Sequence, residues 1–458
     1  MPLAEAVAAT NELRELARLL GAECIEQEQG IRARKAVDPD VTALVDYLAD
    51  AVVAVPRNFW TDGSTFEALL EMPPVHSRLD PLELLPPLRE LGVLQGLCLG
   101  PLGDLFRETY DVIDLRFGDP FPVPDRPLPP TLVDPTPPFS TLDHTQLLRK
   151  TRFRLWEHPT GGDPRVRLDY RWRDELDSAT WDEDAGTPRV RVASVHPHAD
   201  VVEFDFKIYR HWWFDVRPKR PDPGAFLSHL EVAADNDADI AILPELSMQK
   251  PDALKKELAS DYGKYPPLVV AGSAHVRTRE NGAEVRANES HAYVNGIPLL
   301  AHRKCHPLEF EFAPPDVPKP RRMPEGLTEE PKVLTFPSGR RTRAAVVICA
   351  DLNEPQIPHL LESAGVNLLL VPAMSARLGA FSTAVSQIAG HCQGYTVIVN
   401  GAPPPSKRGS DPFAIFTGVP ESSPKRQTCE IKPPSSGRRA IGLFDLNDRR
   451  MSVGWIPL

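Results

Sequence analysis

From Arg189 onward the chain alternates short, wholly apolar runs with stretches of helical spacing, and this alternation restricts it to a layered α/β architecture. Arg189–Val195 reads as a strand and Ala225–Asn236 as a helix. Ile240–Leu243 (IAIL) is a short buried strand running into Pro244-Glu245-Leu246, and Leu268–His275 is another. His291–Val294 and Pro298–Arg303 flank Asn295-Gly296, the strongest short hairpin signal. Ala344–Ile348 is a buried strand ending at Cys349; a helix over Gln356–Ala364, a strand Asn367–Val371, a helix near Thr383–Gly390 and a strand Thr396–Asn400 follow.

The preceding region has a different texture. Leu13, Leu16, Ala17 and Leu20, then Val41, Leu44, Val45, Leu48 and Val52, repeat at helical spacing, so 1–118 is expected to be a mainly helical domain. The stretch 119–140 is proline-dense and reads as an extended linker. In 141–186, Val166, Leu168, Tyr170 and Trp172 alternate with charged residues, which predicts a strand. Phe153 and Leu155 suggest its hairpin partner, with a turn at Thr160–Asp163. The last domain is expected to span 187–458.

Composition narrows the function. A formal net charge of −11 argues against a general nucleic-acid binder. The basic stretch Lys319–Arg343 reads as a solvated loop. The opening segment, with Glu5, Glu12 and Glu15, reads as an amphipathic helix and not as a secretory signal, and no apolar run is long enough to cross a bilayer. Six scattered cysteines without a CxxC pair suit a reducing compartment, so a cytoplasmic protein without a metal or other cofactor is expected.

Three chemistry-bearing residues stand at the ends of apolar strands, where layered α/β proteins usually place their ligands. They are Glu245 in ILPELS, Lys304 in LLAHRKCHPLE and Cys349 in AAVVICADLNEP. Singly, each has an ordinary structural reading: a helix cap, a solvated strand end and a small core filler.

In their order and context, ILPEL, HRK-x-H, VVIC-x-D and NLLLVPA resemble the nitrilase superfamily of carbon–nitrogen hydrolases. Asn288, Tyr293 and Asn295-Gly296 are similar to that family's hairpin ahead of the lysine, and Gly394–Asn400 to its late strand. The resemblance covers about Arg189–Leu458 and implies an α-β-β-α sandwich. It also implies a Glu–Lys–Cys triad and hydrolysis of a small-molecule amide or carbamoyl group through a cysteine thioester. A homo-oligomer follows from the same resemblance, while charge and the lack of a long apolar run leave no nucleic-acid or membrane partner expected. Glu245 would be the base and Cys349 the nucleophile, while Lys304 and the Ala350 N–H would bind the oxyanion. A second glutamate is implied shortly after the lysine; Glu309 and Glu311 both qualify, with Glu311 preferred. Asp351 and Asn353 would contact substrate. The residues around the cysteine depart from the family pattern, with Ala350 where an aromatic residue is common, so substrate class is not carried over. Two other readings stay open: a sensing or scaffolding protein that does not turn substrate over, and an acyltransferase using the same thioester.

Overall fold

The computed structural model describes residues 107–117, 119–124, 153–156, 164–182, 187–188, 191–198, 203–209, 213–219, 223–248, 251–280, 282–312, 321–328, 332–375, 394–401, 414–418, 427–431, 440–445 and 453–457, with single positions near 381–388. The helices expected before residue 107 lie outside them. Two compact units are present: Met1–Asp111 with Leu115–Thr160, and Val112–Asp114 with Gly161–Leu458.

The strands in chain order are β1 (Val112–Asp114), β2 (Pro120–Pro122), β3 (Phe153–Leu155), β4 (Arg165–Asp169), β5 (Trp181–Asp182), β6 (Thr187–Pro188), β7 (Arg191–His196), β8 (Phe204–Tyr209) and β9 (Trp213–Pro218). They continue with β10 (Ile240–Ile242), β11 (Leu268–Glu280), β12 (Ala283–Val294), β13 (Ile297–Arg303), β14 (Glu309–Phe312), β15 (Arg321–Pro324), β16 (Val333–Pro337) and β17 (Ala344–Val346). The series ends with β18 (Leu368–Ala373), β19 (Tyr395–Asn400), β20 (Ala414–Gly418), β21 (Gln427–Ile431), β22 (Ala440–Asp445) and β23 (Val453–Pro457). Three helices are used below, α1 (Arg173–Thr180), α2 (Pro223–Asp235) and α3 (Pro251–Ser260), and a fourth, Gln356–Ser363, follows the cysteine turn.

In the second unit two sheets dominate, a seven-stranded one ordered β13-β12-β11-β10-β7-β22-β23 and a five-stranded one ordered β17-β18-β19-β20-β21. The period of two sorts their residues cleanly. Val192, Ile240, Ile242, Leu268 and Val270 form one core with Ala344, Val346, Leu368, Leu370, Val397 and Val399, so the two sheets meet face to face. The alternate residues, Ala193, Val195, Ala241, Leu243, Val269 and Ala271, pack instead on Phe226 and Leu230 of α2 and Leu254 and Leu258 of α3. Strands buried on both faces must be apolar throughout, which is why IAI, AAV and LLLVPA carry no polar residue. Each buried Val, Leu or Ile contributes about 1.5–3 kcal/mol. Asn295 and Gly296 take φ of 47° and 76°, as a two-residue hairpin turn between β12 and β13 demands.

Several expectations fail. β4 does not pair with β3: it lies between β1, antiparallel, and β16, parallel, while β3 pairs with β2. Period two identifies a strand but not its partner. The alternation read through Trp172 ends at Asp169, and α1 follows, with Asp174 and Glu175 in its first turn. Which neighbour the 141–186 region joins is open in the sequence; residues 165–182 and β1 fall with the second unit. Part of the expected linker is strand β2; 125–140 lie outside the described residues.

The basic stretch is not a plain solvated loop. Arg343 is fully buried, donating to Ser338 Oγ at 2.9 Å, Tyr170 Oη at 3.3 Å and the Ala364 carbonyl, and Arg341 stacks over the Trp181 ring. Among the described residues no helix is long and apolar enough to cross a membrane.

Candidate active site

The parallel strands β10, β17 and β18 deliver their carboxyl ends to one place, and the loops leaving them carry the reactive groups. After β10 the chain turns through Pro244–Ser247. That turn is held by Leu246 N–H donating to Ser273 Oγ, by Met248 N–H donating to the Ser273 carbonyl, and by Ser247 Oγ donating to the Pro244 carbonyl. It nests on a bulge of β11 where Gly272 has φ of 71°. A Cβ at Gly272 would run into the Pro244 carbonyl and Ser247 Oγ, so only glycine lets the loop sit there. The Glu245 N–H reaches across to the Ala373 carbonyl at the end of β18, tying the two sheets together.

Cys349 opens the tight turn after β17 with φ of 44°, left-handed backbone that a non-glycine residue adopts only under constraint. Asp351 supplies the constraint. Its Oδ2 accepts from Ile348 N–H at 3.0 Å and from His302 Nε2 at 3.0 Å. Its Oδ1 accepts from the N–H groups of Cys305 and His306 at 2.8 and 2.9 Å. One buried carboxylate thus locks the cysteine turn to the segment that follows Lys304. Asp351, expected to contact substrate, has both oxygens turned into the protein; Asn353, the other expected contact, is exposed. Ala350 is half-buried beside the thiol's backbone. His302, Cys305 and Asp351 bring a nitrogen, a sulfur and an oxygen within 4.8 Å of one another, but the four N–H donors already on Asp351 explain that cluster without an ion.

Lys304 lies between two glutamates. Its Nζ donates to Glu245 Oε1 at 2.6 Å and to Glu325 Oε2 at 2.7 Å, and all three residues are no more than 4% exposed. Asn288 gives its two amide hydrogens to the same pair, to Glu245 Oε1 at 2.9 Å and Glu325 Oε1 at 2.7 Å. The amide cannot be turned round, since its oxygen would then face two carboxylates. Glu325 also accepts from His275 Nε2 at 2.7 Å and from Leu308 N–H at 3.0 Å.

The two carboxylates differ in one decisive respect. Glu325 receives four donors, two on each oxygen, whereas Glu245 has both its nitrogen donors on Oε1 and otherwise meets only the Cys349 thiol. Cys349 interacts with both Glu245 and Lys304, and the Met374 N–H hydrogen-bonds its sulfur.

The electrostatics follow. Burial alone would drive Lys304 toward neutrality, but Glu245 and Glu325 outweigh it and hold the ammonium well above the usual lysine range. Burial also opposes charge on Glu325, yet Lys304 and His275 keep its carboxyl well below the ordinary carboxylate range. Glu245 moves the other way: burial, helped by the charge of Glu325, raises it despite Lys304. Burial pushes the Cys349 thiol well above its usual range, and Glu245 adds to this. At rest the site therefore holds a neutral thiol beside a carboxylate of raised proton affinity and a fixed cation.

Of the expected residues, Glu245, Lys304 and Cys349 come together. The second carboxylate on Lys304 is Glu325, which sequence reading missed. Glu309 is exposed, and the Glu311 side chain lies outside the described residues. Glu325 directly follows β15, whose sequence Arg-Arg-Met-Pro is not an apolar run, so it lacks the signal that marks Glu245 and Cys349.

No known family description matches this chain, and no curated protein does. Solved structures give low-level likenesses. The NitN amidase from Nesterenkonia sp. AN1 is 15% identical, with a TM-score of 0.36 over 57% of this chain and 93% of that one. Nit3 of Saccharomyces cerevisiae, a nitrilase-superfamily member, is 16% identical, with a TM-score of 0.32 over 53% and 90%. A glutamine-dependent NAD+ synthetase from Acinetobacter baumannii is 16% identical, with a TM-score of 0.31 over 58% and 47%. Likeness at this level assigns neither family nor reaction.

Proposed function

We propose that the second unit is a carbon–nitrogen hydrolase of the nitrilase type that cleaves a small amide or carbamoyl group through a Cys349 thioester. The reading rests on one observation above all: the Glu245 carboxylate, pinned at Oε1 by Lys304 and Asn288, is hydrogen-bonded with the Cys349 thiol.

Glu245 takes the thiol proton as Cys349 Sγ bonds to the carbonyl carbon. Lys304 has three N–H donors; two serve the glutamates, and the third is available to the oxygen that becomes negative. When the tetrahedral adduct collapses, the C–N bond breaks and the amine leaves with the proton from Glu245. Water then gives a proton to Glu245 as it adds to the thioester. Collapse of this second adduct breaks the C–S bond, returns the proton to sulfur and releases the carboxylic acid. An amine in place of water would make the same thioester an acyl donor.

A second reading, a sensor that binds a small amide without turnover, draws on the near-complete burial of Cys349, Glu245 and Lys304, each 1% exposed. Incubating the protein with hydroxylamine and a panel of small amides separates the two. Hydroxamate from the wild type and none from Cys349→Ala is the expected result. Silence of the folded wild type across the panel overturns the hydrolase.

A further inference from the structure

The hairpin β8–β9 reaches the side chain of Glu325 through His275 of β11. The side chain of His275, on β11, is 4% exposed, and its Nδ1 accepts a hydrogen bond from the Val216 N–H of β9 at 2.8 Å. An Nδ1 that accepts carries no proton, so the neutral ring has its hydrogen on Nε2. That hydrogen points at Glu325 Oε1, 2.7 Å away. The hairpin also meets Glu325 through its backbone: Phe214 bridges Glu325, and Gly326 N–H donates to the Phe214 carbonyl at 3.0 Å.

The far side of the ring is built as firmly. Asp215 Oδ1 stands 3.8 Å from Nδ1, and Oδ2 of Asp215 accepts from Arg277 at 2.6 Å and from Tyr209 Oη at 3.1 Å, with Arg217 at 4.0 Å. Tyr209 stacks on Trp213 with centroids 3.8 Å apart, and Arg277 and Arg286 cover these rings.

We propose that His275 is a positioning residue for the reaction, a one-tautomer donor through which β9 fixes the Glu325 carboxylate and, through it, the direction of Lys304. The inference rests on the hydrolase reading for its turnover readout and on geometry for the rest. Glu325 is faced by Lys304 from the end of β13, by Glu245 from the loop after β10, by Asn288 from β12, by the Leu308 N–H and by His275. Lys304 and Asn288 are shared with Glu245; His275 and Leu308 belong to Glu325 alone. Without the imidazole donor the carboxylate keeps its cation but loses one of the two contacts that distinguish it from Glu245. Lys304 is then free to swing toward Glu245 and away from the place where the oxyanion forms.

The test compares full-length wild type with His275→Phe, which keeps a ring without donors, and His275→Gln, whose amide N–H restores the donor to Glu325. Three readouts are taken: kcat and KM on an amide found by the hydroxamate screen, the acidic limb of kcat against pH, and the rate of Cys349 alkylation by iodoacetamide. For His275→Phe we expect kcat to fall about tenfold, the size of effect a hydrogen bond to a charged group confers, with KM within about twofold. The acidic limb should move to lower pH, because Lys304 turned toward Glu245 lowers the proton affinity of the base, and alkylation should slow several-fold. His275→Gln should recover most of each change. If His275→Phe leaves kcat, the limb and the alkylation rate at wild-type values, the proposal is overturned. If His275→Phe does not fold, His275→Gln decides: a limb and alkylation rate near wild type support the proposal, and a loss as large as for an unrelated core variant overturns it. A wild type that turns over no amide but whose alkylation still depends on His275 in this pattern fails the hydrolase reading and leaves the positioning role standing.

Discussion

Lys304 is held by two carboxylates in a site without water-exposed surface, so its removal has a cost beyond catalysis. Lys304→Met leaves Glu245 and Glu325 facing each other as buried uncompensated charges, and we expect a loss of about 3–5 kcal/mol in urea unfolding. The same variant should lose at least about 10²-fold in kcat through the missing oxyanion donor. Cys349 gives the opposite sign. Its left-handed backbone favours glycine, so Cys349→Gly should melt no lower than Cys349→Ala, against the usual penalty for glycine; differential scanning calorimetry checks this. His196 governs acid behaviour. Burial holds its imidazole down, to about 3 from an ordinary 6.5, with Ser194 Oγ at 3.2 Å from Nε2. The unfolded chain therefore binds a proton below 6.5 that the folded protein refuses. The stability this contributes is whole above pH 6.5 and shrinks as pH falls toward 3, by about 3 kcal/mol at pH 4. His196→Gln should flatten the pH dependence of urea midpoints between 6.5 and 4, even if it starts lower at neutral pH.

At the scale of elements, the Pro244–Ser247 loop depends on the β11 bulge beneath it. Gly272→Ala adds a methyl group against the Pro244 carbonyl and demands φ of 71° from an L-residue. The loop must shift, carrying Glu245 off the thiol; the expected result is a fall in kcat of about 10²-fold with a folded circular dichroism spectrum, since displacements near 1 Å at reacting groups have effects of that size. The same elements explain what could be read in advance. Glu245 and Cys349 each follow a short apolar strand, visible in sequence because both faces of a buried strand must be apolar, whereas Lys304 ends β13, an edge strand placed by the hairpin turn before it. Asn295-Gly296 was legible because its turn demands positive φ twice. Glu325 was not, because its place is set by β9, β12 and the loop at Leu308, all distant in sequence. The β3–β4 hairpin misled for the complementary reason: alternation tells which face of β4 is buried, while its neighbours β1 and β16 are chosen by packing. Helix α1 was hidden because Tyr170 and Trp172 prolong the alternation past Asp169; the acids at 174 and 175 were the signal against it.

For the whole molecule we expect a homo-oligomer at micromolar concentration, a state that light scattering checks directly; the monomer mass at every concentration would refute it. The larger sheet has a consequence of its own. β22 pairs antiparallel with β7 from Ala440↔His196 to Asp445↔Arg191, and it follows every candidate site residue in the chain. A ribosome delivers β7, β10 and β17 early and β22 late. Through that interval the N–H and C=O groups of β7 on that side have no native partner, and an unpaired strand edge is a template for wrong pairing. The nascent protein thus has its nucleophile, base and lysine before it has the strand that pairs with β7 in the larger sheet. Translation stalled ahead of Ala440 should release chains that are captured by chaperones or aggregate, so yield in the cell is set by the closing strand more than by the chemistry it encloses.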